Sequence, residues 1–229
     1  MKGFQHLALV GAVALMTSTP ASAAVIDLFD YAFNINGTVT SQAAPAGVNV
    51  GGFNTSTGLG TITVTLSGSG SNYVSLFVDH EIDEAVNTWF NENGSTSGAA
   101  AAGQTWEIDE PGWVFGDSYT NLGLSALDGT NGVPAGSEDD VSMAMGWDFN
   151  LLAGETGVIS FLISSSLPTS GFYLTQNDPD SQASIYMSSR LTINNDGTDP
   201  GDIPEPATLA LLGIGLLGLW QTHRRQAVM

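Results

Sequence analysis

The stretch VSMAMGWDFNL, residues 141 to 151, limits the fold more than any other part of the chain. Val141, Met143, Met145, Trp147, Phe149 and Leu151 alternate with Ser142, Ala144, Gly146, Asp148 and Asn150 over the whole run. Strict period-2 alternation predicts a strand with one face on a core and the other facing solvent. A turn with Gly154 and Glu155 follows, then VISFLISSS (158 to 166), and the two runs read as an antiparallel hairpin.

Five more runs read as strands: 25 to 35, 60 to 67, 72 to 79, 171 to 176 and 184 to 193. Gly, Ser, Asn and Pro punctuate the gaps, as short strands and tight turns require. Seven candidate strands and no long helix predict an all-β domain, an antiparallel β-sandwich over residues 24 to 193. One segment breaks the pattern. In DHEIDEAVNTWF (79 to 90), Ile82, Ala85, Val86, Trp89 and Phe90 fall at helical spacing, so either a short helix forms or the preceding strand runs on through Ile82. A Gly/Ser/Ala-rich loop then leads to QTWEIDEPGWVFGDSY (104 to 119), and a polar linker occupies 194 to 203.

Charge narrows the partners. Residues 24 to 205 hold one base against 23 acids, a formal charge of −22, because Lys2, Arg224 and Arg225 lie at the two ends. Such a surface repels nucleic acid and attracts cations. The termini carry the address. Lys2, the apolar run LALVGAVALM (7 to 16) and the small residues Ala21 and Ala23 have the layout of a secretory signal cut between Ala23 and Ala24 by signal peptidase after Sec export. Ten apolar residues reach only about 15 Å as helix, half a bilayer core.

At the other end, Pro204, Glu205 and Pro206 precede ATLALLGIGLLGLW (207 to 220), and His223, Arg224 and Arg225 follow. The apolar run would span about 21 Å as a short transmembrane helix, and the arginine pair would hold the C-terminus on the cytoplasmic side. The prolines disfavour helix at Glu205 and its neighbour, leaving an extended peptide at the membrane surface. This order of parts, over 204 to 226, resembles the PEP-CTERM sorting signal of exported bacterial proteins. The resemblance implies an exosortase, an integral-membrane enzyme that recognises Pro204-Glu205-Pro206 and removes the tail. It also implies a setting at the cell surface or in an extracellular polysaccharide or biofilm matrix. The wording of 141 to 176 is similar, more loosely, to β-rich ectodomains attached to such tails.

Chemistry is sparse. There is no cysteine, so neither disulfides nor thiolate catalysis is available, and His80 is the one histidine between the termini, read as a surface residue at a strand end. No G-x-S-x-G elbow occurs, and no motif fixes a pair of carboxylates for glycoside hydrolysis, so a non-enzymatic role is expected. Asp79, Glu81, Asp83 and Glu84 form one acidic cluster and Glu138, Asp139 and Asp140 another, neither with EF-hand spacing. Extended, the first would place Asp79, Glu81 and Asp83 on one face as candidate calcium ligands; helical, its acids would simply favour the first turn. Trp106 and Trp113, beside Glu107, Asp109 and Glu110, are the candidate glycan contacts, against the plainer reading that they pack the domain.

Overall fold

The computed structural model describes residues 24–85 and 87–195. The export signal with Ala21 and Ala23, Val86, most of the linker, and the tail with Pro204, Glu205, Pro206, Arg224 and Arg225 lie outside the described residues. In chain order the strands are β1 (Ile26–Ile35), β2 (Thr38–Ser41), β3 (Val48–Asn54), β4 (Leu59–Ser67), β5 (Gly70–Ile82), β6 (Asn93–Ser97), β7 (Gln104–Asp109), β8 (Ser142–Leu151), β9 (Glu155–Ser164), β10 (Tyr173–Asp178) and β11 (Ala183–Asn195). One helix, α1 (Ser118–Leu124), lies between β7 and β8. No helix among the described residues is long and apolar enough to cross a membrane.

The strands form two antiparallel sheets, a five-stranded one in the order β2-β1-β5-β8-β7 and a six-stranded one in the order β3-β4-β9-β11-β10-β6. They face each other as a β-sandwich over one core. Val74, Leu76, Val78, Met143, Met145, Trp147 and Phe149 project inward from the first sheet, and Ile62, Val64, Ile159, Phe161, Ile163 and Met187 from the second. The alternation along β8 thus does what period-2 patterning predicts.

The expected hairpin of 141 to 151 with 158 to 166 does not form. β8 pairs with β5 and β7, whereas β9 pairs with β4 and β11, so the connection crosses from one sheet to the other. Both runs carry a large apolar set, and placing them in opposite sheets lets those sets meet across the core instead of lying side by side. The Phe149 ring packs over Gly157, where a Cβ would fall 2.6 Å from Cε2.

The outer face of the five-stranded sheet is also covered. Ala32 on β1, Phe77 on β5 and Ala144 on β8 are buried beneath Leu122 of α1 and Leu127, with Tyr119 packed alongside. Asn34 of β1, fully buried, fixes the helix end by donating from Nδ2 to the carbonyl oxygen of Leu122 at 2.6 Å and to Ser125 Oγ at 3.0 Å. The Leu122 carbonyl also accepts from the Ser125 amide at 3.1 Å, so the helix end is held both by its own cap and by the sheet. Because of this cover, Ala144 and Gly146 lie inside the molecule, and the face of β8 expected to meet solvent is largely buried.

The ambiguity at 79 to 90 resolves as strand. β5 continues through Ile82, and turns follow from Asp83, whose φ is 55°. His80 is consequently not at a surface. It is fully buried on the core side of β5, against Gly58, and neither ring nitrogen has a hydrogen-bond partner. Burial lowers its pKa to about 4, so the ring is neutral at ordinary pH. The last strand runs through Asn195, two residues into the expected linker.

Candidate functional site

Beside α1 the outer face of the five-stranded sheet opens into a cleft of about 340 Å³. Its floor is acidic and its walls are aromatic. Asp79 and Glu81 share that face because residues two apart on a strand point the same way. The register of β5 with β8 pairs Asp79 with Ser142, and Asp140, two residues before Ser142, brings its carboxylate within 4.8 Å of those of Asp79 and Glu81. Sheet pairing therefore joins the two acidic clusters that the chain separates by more than fifty positions.

A β-bulge supplies one wall. Along β1 the partners shift between Leu28, opposite His80, and Asp30, opposite Asp79, leaving Phe29 as an extra residue. Such an insertion swaps the inward set from even to odd positions and turns two consecutive side chains outward. Leu28 and Tyr31 pack on the core, Asp30 lies on the outer face, and Phe29 is 60% exposed at the cleft. The loop after β7 supplies the opposite wall with Pro111, Trp113, Val114 and Phe115, while Trp89 and Glu84 stand at the rim. Val114 and Phe115 are 81% and 67% exposed.

This loop is held in place by a different set of acids. Glu107 accepts from Asn121 Nδ2 at 3.0 Å and from the Asp128 amide at 3.2 Å. Asp109 accepts from the amides of Glu110 at 2.9 Å and Asp117 at 3.3 Å. Ser142 Oγ donates to the Asp109 carbonyl oxygen at 2.8 Å and lies 2.5 Å from Ser118 Oγ, tying the start of α1 to the sheet. Gly116, with φ 71°, has no room for a side chain, since a Cβ would lie 2.3 Å from the Glu110 carbonyl oxygen.

The floor is electrostatically crowded. Burial first, then Asp140 and Glu81, push the Asp79 carboxyl up to about 8. Burial and the neighbouring Asp140 and Glu84 raise Glu81 to about 7, and burial with Glu110 and Asp139 raises Asp140 to about 7. No cation relieves them. Arg190 is the one Lys or Arg among the described residues, and it sits on β11 in the other sheet, paired in register with Ser160.

The structure sorts the candidates named from sequence. Asp79 and Glu81 meet on the floor and Glu84 is exposed at the rim, but Asp83 turns away to accept from the Val25 amide at 2.6 Å. Asp140, read as part of a separate cluster, joins the floor instead. Trp113 lines the cleft, its indole N–H 3.5 Å from Asp79 Oδ2 and its ring 5.0 Å from that of Tyr119. Trp106 lies apart, half-buried on β7 against the core with its ring 5.6 Å from Phe172. Ala24, the expected first residue after cleavage, packs partly against the core just before β1. Phe29 went unrecognised because its role depends on a bulge, which leaves no mark in the alternation of β1 alone.

Residues 202–225 match the family model described as the PEP-CTERM protein-sorting motif. The chain thus carries a PEP-CTERM sorting motif, which implies an exported protein, anchored transiently at the membrane before surface display and processed by an exosortase-type enzyme. No curated protein and no solved structure matches the chain. The motif bears on delivery and not on the domain's own chemistry.

Proposed function

We propose that the β-sandwich works at the cell surface or in the extracellular matrix by binding, not by catalysis, and that its cleft takes a segment of extracellular polysaccharide. Delivery begins with Sec export and removal of the N-terminal signal by signal peptidase. One observation carries the binding reading: exposed aromatic side chains, Phe29, Trp89, Trp113 and Phe115, surround a floor of hydrogen-bond acceptors formed by Asp79, Glu81 and Asp140. A sugar ring has apolar C–H faces that pack on aromatic rings and hydroxyl edges that donate to carboxylates, and few other soluble ligands combine the two. The net charge favours a neutral glycan over an acidic one. A structural role resting on diffuse cation binding by the acidic surface is the second reading, favoured by the charge alone.

Depletion onto polysaccharide recovered from the producing cells tests the first reading. Phe115→Ala removes an exposed ring of the cleft wall, and Trp113→Ala removes a half-exposed one together with its contacts to Tyr119 and Asp79. If these rings are binding hot spots, each truncation costs about 2 kcal/mol, a roughly thirtyfold weakening. Retention unchanged in both variants would refute the assignment of the cleft.

A further inference from the structure

We propose that Asp79, Glu81 and Asp140 form a specific site for one hard divalent cation, calcium by its ligand chemistry, on the floor of the cleft. Their carboxylate oxygens lie within 4.8 Å of one another. No pair is therefore farther apart than two ligands on opposite sides of a calcium ion at about 2.4 Å each. Proximity alone would mean little on so acidic a protein. The decisive feature is that the oxygens have nothing else to bind: Asp79 Oδ1, Glu81 Oε2 and Asp140 Oδ1 are all buried and all lack a hydrogen-bond donor.

Comparison with the other buried acids sharpens the point. Asp79 is 1% exposed, and its remaining contact is the Trp113 indole at 3.5 Å, the limit of a hydrogen bond. Asp30 accepts from the Tyr31 amide at 2.7 Å, and Glu92 from the Ile82 amide at 3.2 Å and from Gln176. Asp178 takes the Asn87 amide group on both oxygens at 2.8 Å and further donors from Asp180 and Ser181. The neighbouring group of Glu107, Asp109 and Asp117 spends its buried Glu107 and half-buried Asp109 on donors from α1 and the loops, as described above. Among the described residues, only the floor of the cleft gathers three acids that each keep a buried oxygen without a donor.

A buried ionised carboxylate without a donor is strongly unfavourable, and three ionised together need a counter-charge that no lysine or arginine among the described residues supplies. The donor set is all oxygen, without His or Cys, which selects a hard cation over zinc or copper. Calcium suits it better than magnesium, because three ligands from one strand and the entry to its neighbour cannot impose the near-ideal octahedron that magnesium demands. Three carboxylates leave ligand positions over, and these face the cleft, where water or the hydroxyls of a bound ligand would fill them.

The test uses the full chain in detergent, stripped with chelator, at physiological salt. Terbium(III) substitutes for calcium and emits when a nearby indole is excited, and Trp113 touches Asp79. The expected result is emission that saturates at one ion per chain, is displaced by calcium and resists a large excess of magnesium. Asp79→Asn and Asp140→Asn should each weaken uptake about tenfold or more. Trp113→Phe should lose most of the emission yet still take up one calcium by equilibrium dialysis. Asp148→Asn, an exposed acid on β8 away from the cleft, should change nothing. Two different acids are replaced so that a folding defect in one does not decide the matter. Non-saturating uptake, or saturable uptake that survives both Asn substitutions, would overturn the site in favour of diffuse binding. No saccharide enters this assay, so its failure and the failure of the glycan reading are separable.

Discussion

Replacing Glu92 with Gln should change how stability depends on pH, not merely how large it is. Glu92 is completely buried between the end of β5 and β10, with Oε1 accepting the Ile82 amide and Oε2 in contact with Gln176 Nε2, which also donates to the His80 carbonyl oxygen at 2.7 Å. Burial raises its pKa to about 9, with Glu81 and Asp140 adding to the rise and the Gln176 and Ile82 hydrogen bonds opposing it. An unfolded glutamate titrates near 4.3. Between those values the native chain holds a proton that the unfolded chain has released, so stability falls as pH rises through the window. One proton corresponds to about 1.4 kcal/mol per pH unit, hence about 3 kcal/mol from pH 5.5 to 7.5. Glutamine carries no such proton, and any hydrogen-bond mismatch it introduces is a constant offset of about 1–2 kcal/mol. Urea denaturation of both proteins in chelator across that range measures the two slopes. The Gln variant should gain about 3 kcal/mol on wild type over the window, whatever their order at pH 5.5. Parallel slopes would mean that Glu92 is ionised in the native protein and would refute the reasoning.

Other expectations follow from packing and from the motif. Gly58→Ala places a Cβ at a φ of 65° and 2.1 Å from His80 Nε2, and should destabilise by about 2–4 kcal/mol, read as a lowered melting temperature. An unchanged melt would show that His80 is not wedged where the structure puts it. Ser142→Ala removes the hydroxyl that ties Ser118 and the Asp109 carbonyl to the sheet, and should cost about 1–3 kcal/mol. Hydrogen exchange in residues 110 to 118 should rise with it. Replacing Glu205 within Pro204-Glu205-Pro206 should leave the C-terminal tail attached, visible as an increased intact mass of the exported protein; an unaltered mass would contradict the role of the motif.

What the sequence disclosed, and what it hid, divides along the distance between interacting residues. The alternation of β8 and the apolar runs of β1, β4, β5, β9 and β11 are local patterns and read directly as strands. β2, β3, β6 and β7 are short or rich in Gly, Ser, Thr and Asn, such as TVTS and NGSTS, so their pairing partners rather than their own side chains make them strands. The helix SYTNLGL shows no apolar stripe, since Leu122 is its one fully buried apolar residue and tertiary contact overrides a weak propensity. Burial of His80 followed from β5 running past it, an alternative the sequence left open. The site was half legible: Asp79, Glu81 and Trp113 could be named, but Asp140 reaches them through the register of β5 with β8, and Phe29 through a bulge, and both are properties of the sheet.

Intrinsic fluorescence of the cleft offers the most direct check on the central claim that this acid-floored aromatic cleft is the working surface. Trp113 and Trp89 stand about half-exposed in it, whereas Trp147 is buried in the core and Trp106 packs on Phe172. Oligosaccharides prepared from the surrounding polysaccharide, titrated into the protein, should shift the emission to the blue with a saturating dose dependence, and Trp113→Phe should remove most of that shift. Oligosaccharide binding shown by calorimetry with unaltered emission, or an equal shift in the Trp113→Phe variant, would place the ligand elsewhere on the domain.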